Sequence, residues 1–157
     1  MKKVLLVGFV LIVLFACSKN KFQTKPQISV KSVSTRVVPI NGDLTITLSY
    51  TDKEGDISDS LFFIKKRLNK RFAATISGRD TIGYPIPDFP NYDKGEIGMA
   101  LRYQDHLISA QSPNTIPGSN PVQYEPDSLD FKIWIIDKAK NVSDTVSTGL
   151  ITILRTN

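Results

Sequence analysis

Leu44-Thr45-Ile46-Thr47-Leu48-Ser49-Tyr50-Thr51 alternates apolar and polar residues at every step. Successive side chains of an extended chain point to opposite faces, so this octet reads as a strand with one face on a core and the other toward water. Leu129-Asp130-Phe131-Lys132-Ile133-Trp134-Ile135 repeats the alternation, and Ile97, Met99, Leu101 and Tyr103 hold alternate positions around small or charged partners. Residues 28–33, 61–68, 72–76 and 145–154 are further β-rich runs. No window carries a 3.6-residue apolar period with helix caps. About seven short strands, separated by Gly, Pro, Asn and Asp, predict an all-β chain folded as an antiparallel β-sandwich.

Two long connections interrupt this pattern. Residues 77–96 contain Pro85, Pro87 and Pro90, and residues 104–126 contain Pro113, Pro117, Pro121 and Pro126. Proline cannot donate to a ladder, so neither segment is expected to supply an interior strand. Surface connections on a rigid scaffold are also where binding functions usually sit.

The first residues carry an address. Met1, Lys2 and Lys3 make a positive head, and residues 4–15 follow without a charge. That run has the length of a signal-peptide apolar region. It is shorter than the roughly 20 residues a spanning helix needs. Leu14-Phe15-Ala16-Cys17 resembles the lipobox of bacterial lipoproteins. The resemblance implies cleavage after Ala16, a diacylglyceryl group on Cys17 and anchorage to a bacterial membrane of the cell envelope, the outer membrane being the expected one. The chain then divides into a signal peptide at 1–16, a lipidated Cys and polar tether at 17–27, and one domain at 28–157. Ser18-Lys19-Asn20-Lys21 is basic rather than acidic, which points to the periplasmic side more than to the cell surface.

Removing sixteen of 157 residues leaves 141, enough for one domain to bury its own core. Cys17 is the single cysteine, so the domain has no internal disulfide to rely on. Loss of Lys2 and Lys3 lowers the formal charge from +5 to +3. The remaining basic residues are scattered, which argues against a nucleic-acid partner.

Tyr50-Thr51-Asp52-Lys53-Glu54-Gly55-Asp56-Ile57 follows the alternating octet and resembles the aspartate-rich turn of bacterial immunoglobulin-like domains. Trp134-Ile135-Ile136-Asp137-Lys138-Ala139-Lys140-Asn141-Val142-Ser143 resembles their closing hairpin, with Lys140 standing where Gly is usual. The resemblance runs from about Ile28 to Leu154. It implies an immunoglobulin-like sandwich and no particular activity, since unrelated functions share that fold.

Asp52, Glu54 and Asp56 surround Gly55, an arrangement that can aim several hard oxygens at one centre, as Ca²⁺ prefers. The immunoglobulin-like topology implied by the resemblance brings the loop between the second and third strands beside the loop between the last two. Asp137 and Asn141 would then join Asp52, Glu54 and Asp56 around a calcium ion. The other reading is that the aspartates cap a tight turn by accepting backbone N–H groups. No cofactor is required by either reading. The same topology puts the start of the first strand at the acidic end and residues 104–126 at the opposite one.

Catalytic constellations are sparse. His106 is the single histidine, in a segment expected to be an exposed loop, so a zinc site of two or more histidines is ruled out. No Gly-rich phosphate loop occurs. Tyr84, Phe89 and Tyr92 share one connection with Asp88, Asn91 and Asp93 and would either stack on a sugar or fold back over a sheet edge. Trp134 falls on the face opposite Phe131, Ile133 and Ile135, where either loops or a partner would cover it. Asp59-Ser60-Leu61, Asp80-Thr81-Ile82, Asp127-Ser128-Leu129 and Asp144-Thr145-Val146 resemble a three-residue O-glycosylation motif of exported bacterial proteins, implying Ser60, Thr81, Ser128 and Thr145 as acceptors. The sequence thus points to a non-enzymatic binding or structural module with a protein or glycan partner. The alternative is a carbohydrate-active lipoprotein, either a glycan-binding accessory or a glycosidase with paired carboxylates.

Overall fold

In the computed structural model, which describes residues 24–71, 81–108 and 113–156, the alternating octet is a strand, Leu44–Thr51. Leu44, Ile46, Leu48 and Tyr50 are buried, and the residues between them face outward. In chain order the strands are β1 (Gln27–Val33), β2 (Val37–Val38), β3 (Leu44–Thr51), β4 (Ser60–Arg67), β5 (Thr81–Pro85), β6 (Lys94–Leu101), β7 (Asp127–Ile136) and β8 (Val146–Ile153). They form two sheets, β1-β3-β6 and β2-β8-β7-β4-β5. The first, second and fifth long strands on one side and the remaining long ones on the other make the immunoglobulin-like sandwich. Phe63, Phe131, Ile133, Ile135 and Ile151 of one sheet meet Leu44, Ile46 and Leu48 of the other in a core that excludes water. Each such side chain contributes roughly 1.5–3 kcal/mol by leaving water.

Three expectations need correction. The sandwich is not wholly antiparallel, because β2 runs parallel to β8, pairing Val37 with Thr152 and Val38 with Ile153. After β1 the chain crosses to the other sheet, and the Thr152 N–H donates to the Arg36 carbonyl (2.9 Å). Residues 77–96 are not one long connection: β5 lies inside them, and β6 begins at Lys94. β5 is an edge strand, the place where a strand tolerates Pro85. Tyr103 does not continue β6 but opens a π-helical turn, Tyr103–Leu107, in which Tyr103 and Leu107 are both buried. The expected strand at 72–76 lies outside the described residues, as do the expected signal peptide, Cys17 and the expected tether up to residue 23.

Gln27 pairs with Thr51, so the chain enters β1 beside Asp52. At the other end of the sandwich Leu44 faces Leu101, from which the chain leads into the turn that carries His106. The two poles are therefore as the topology predicts.

Candidate metal centre

Asp52 directly follows β3, and its backbone N–H donates to the Asp93 carbonyl (2.8 Å) just ahead of β6. Its carbonyl accepts the Gly55 N–H (3.1 Å), closing a turn with Lys53 and Glu54 at the exposed corner. Gly55 has φ 69°, which favours glycine, and a Cβ there would lie 3.2 Å from Asn91 and Tyr92, which would have to give by a few tenths of an ångström. Ile57, fully buried, anchors the far end of the loop in the core.

Asp137 follows β7 and opens the second loop. Its carbonyl accepts the Lys140 N–H (3.0 Å), and its carboxylate accepts the Asn141 N–H (2.7 Å) and the Asn141 side-chain amide (2.9 Å). Lys140 adopts φ 69°, so the turn keeps its left-handed residue although a lysine occupies the position. Direct bonds join the two loops: the Asp56 carbonyl accepts the Lys138 N–H (2.9 Å) and Asp56 Oδ2 accepts the Ala139 N–H (3.1 Å).

This frame gathers Asp52, Asp56 and Asp137, with one carboxylate oxygen of each within 4.8 Å of the others. Asp52 and Asp137 are buried, at 2% and 0% exposure, and Asp56 is half-buried. Asp52 Oδ2 accepts the Asp56 N–H (2.9 Å), but Asp52 Oδ1 and Asp56 Oδ1 are buried without a hydrogen-bond partner in the protein. The ammonium groups of Lys138 and Lys140 lean elsewhere, on Asp88 (2.8 Å) and Asp59 (2.7 Å). Burial pushes the Asp52 carboxyl above the ordinary aspartate value. The N–H of Asp56 opposes that rise, and the carboxylates of Asp56 and Asp137 add to it. Turn capping therefore accounts for one oxygen of Asp52 and leaves the other in an uncompensated, costly position.

Of the five residues the sequence singles out, Asp52, Asp56, Asp137 and Asn141 come together, Asn141 as the hydrogen-bond partner of Asp137. Glu54 does not join them. It is exposed because it occupies the corner of the turn closed by Gly55, which aims it away from Asp52 and Asp56.

The aromatic residues Tyr84, Phe89, Tyr92 and Trp134 do not form one surface. Tyr84 stacks on Phe63 (6.2 Å between centroids), Phe89 packs toward Tyr50 (6.3 Å), and Tyr92 is exposed. Trp134 does lie on the outer face of its sheet, half-buried and stacked on Phe62 of β4 (5.5 Å between centroids). Thr81 and Thr145 are exposed, whereas Ser60 and Ser128 are half-buried within strands. His106 is half-buried rather than exposed, and its Nδ1 accepts the Arg102 N–H (2.8 Å). A catalytic triad needs that nitrogen protonated and bonded to a carboxylate, the reverse arrangement. The slot that His106 and Tyr84 line with β6 leaves no signal in the sequence, because its walls meet only across two sheets.

Comparison with known proteins yields no counterpart: no family model, curated protein or solved structure matches the chain.

Proposed function

We propose that this protein is a bacterial envelope lipoprotein, cleaved after residue 16 and lipidated at Cys17, whose β-sandwich is a non-enzymatic binding or structural module closed at its tether end by calcium. The observation that carries the metal assignment is the buried, unpartnered Oδ1 of Asp52, gathered with the oxygens of Asp56 and Asp137. All three donors are hard carboxylate oxygens. A separation of up to 4.8 Å equals about twice the Ca–O distance of 2.3–2.6 Å, so the three oxygens can share one calcium ion. Water completes the 6 to 8 oxygens that calcium takes. The lipoprotein assignment rests on Leu14-Phe15-Ala16-Cys17.

The test is thermal unfolding of the full chain in mild detergent, with calcium or with chelator. Calcium at about 100 times its Kd adds about 2.7 kcal/mol, a shift of several degrees. Asp52→Asn abolishes that shift yet leaves the chelated protein at least as stable, because it removes one of three crowded charges. An unchanged melting temperature at millimolar calcium refutes the metal centre. In cells, Cys17→Ala abolishes incorporation of a fatty-acid label, and persistent labelling refutes the anchor.

A further inference from the structure

The sandwich is open along one side. β5 ends one sheet and β6 ends the other, and a slot of about 220 Å³ lies between them. Leu61, Ile86, Ile97 and Met99 supply apolar walls, joined by the rings of Tyr84 and His106. An apolar cavity of roughly 150 Å³ accepts benzene, so this slot has room for one substituted ring.

Both rings are held from behind. Tyr84 stacks on Phe63, which is fully buried. His106 sits in a π-helical turn fixed by the buried side chains of Tyr103 and Leu107, and Tyr103 Oη donates to the Leu154 carbonyl (2.6 Å). The backbone of Arg102 grips the histidine twice, accepting its N–H (3.0 Å) and donating to Nδ1 (2.8 Å). With Nδ1 an acceptor, the proton of the neutral imidazole resides on Nε2. Burial is the largest influence on this ring and holds its pKa below the usual histidine value, so it is neutral at pH 7. His106 meets Tyr84 edge to face at 5.6 Å.

The charges around the imidazole balance, with Asp105 and Asp43 against Arg102 and Lys65. Arg102 and Asp105 also pair directly (2.6 Å). Two charges of each sign beside the imidazole leave no excess that would favour an ion. A neutral occupant suits that balance, an acceptor group on it suits Nε2–H, and a ring suits a wall of thioether and aromatic edges. We infer that this slot binds a small neutral aromatic compound carrying one hydrogen-bond acceptor, with His106 as the donor that selects it. The inference is independent of the metal centre.

The probe is acetophenone, compared with α-methylstyrene, in which the carbonyl oxygen is replaced by a methylene group. Both are titrated into the full chain in detergent while the His106 and Tyr84 ring resonances are followed by NMR. Acetophenone gives saturable shifts at millimolar concentration and binds about tenfold more tightly than α-methylstyrene, the worth of one hydrogen bond. Ile97→Trp, at a half-buried wall position, fills the slot and removes the shifts. His106→Phe keeps a ring without the donor, so acetophenone weakens about tenfold while α-methylstyrene is unchanged. Melting temperatures identify folded variants, and either variant alone suffices. Absence of saturation at about 10 mM, shifts that persist in folded Ile97→Trp, or equal affinity for the two probes overturns the inference.

Discussion

Lys140 shows how a single residue can work against its local conformation. Its φ of 69° costs a side-chain-bearing residue roughly 1–2 kcal/mol. Its ammonium meets Asp59, but the lysine side chain is 73% exposed, so that pair contributes little. Lys140→Gly removes the strain and loses some chain entropy, for a net gain of about 0.5–1 kcal/mol. Melting temperature in chelator should rise by a few degrees, and a fall would show that the Asp59 contact outweighs the strain. His106 makes a second prediction at this scale. The native state keeps it neutral to lower pH than the unfolded chain does. Between about pH 6.5 and that lowered value the unfolded chain binds more protons, so stability falls as pH falls. The comparison of melting temperature with pH for the native chain and His106→Gln should show a steeper loss in the native chain below pH 6.5. Parallel curves would refute the shift.

At the scale of elements, β4, β5 and β7 share an outer aromatic face. Phe62 stands between Trp134 on one neighbour and Gly83 on the other, and its ring lies over the glycine. A Cβ at Gly83 would sit 2.7 Å from the Phe62 ring. Gly83→Val must therefore push that ring aside and expose Trp134. The expected cost is about 1–2 kcal/mol, with a red shift in the emission of the single tryptophan. Unshifted emission would mean that Phe62 yields without leaving Trp134. The same elements mark where sequence patterning reads a fold and where it stops. β3 and β7 were legible because each has one face on the core, so burial imposes a period of two. β5 carries no such period, since as an edge strand it is mostly exposed. β2 is only two residues long, and its existence depends on β8. The π-helical turn follows from Tyr103 and Leu107, whose four-residue spacing is too brief to stand out from the alternation before it. Asp52, Asp56 and Asp137 were legible through the two turn motifs, whereas the exposed position of Glu54 depended on where the turn closes.

Across the whole molecule the two poles have different chemistry. One pole holds the Asp52, Asp56 and Asp137 cluster, and β1 enters there through the pairing of Gln27 with Thr51. At the far pole, backbone bonds close residues 114–125, Ile116 N–H to Gln123 (2.8 Å) and Glu125 N–H to Asn114 (2.7 Å), and no carboxylate cluster of the metal-holding kind occurs there among the described residues. A cation bound at one pole should therefore stiffen that pole alone. Without it, mutual repulsion among three carboxylates favours separation of the two loops. The amides that would report this are Asp56 and Asn141, which donate to the Asp52 and Asp137 carboxylates, and Ala139, which donates to Asp56. Calcium should slow hydrogen exchange at these three amides by about tenfold or more, because loop amides exchange through local opening. The Ile116 and Glu125 amides should exchange at the same rate with calcium or chelator. Equal slowing at both poles would place the effect in global stability, and no slowing at Asp56, Ala139 and Asn141 would remove the cation from the Asp52 pole. Such an asymmetry would make the pole where β1 begins the part of the sandwich that responds to calcium, with the opposite loops exchanging at their own rate.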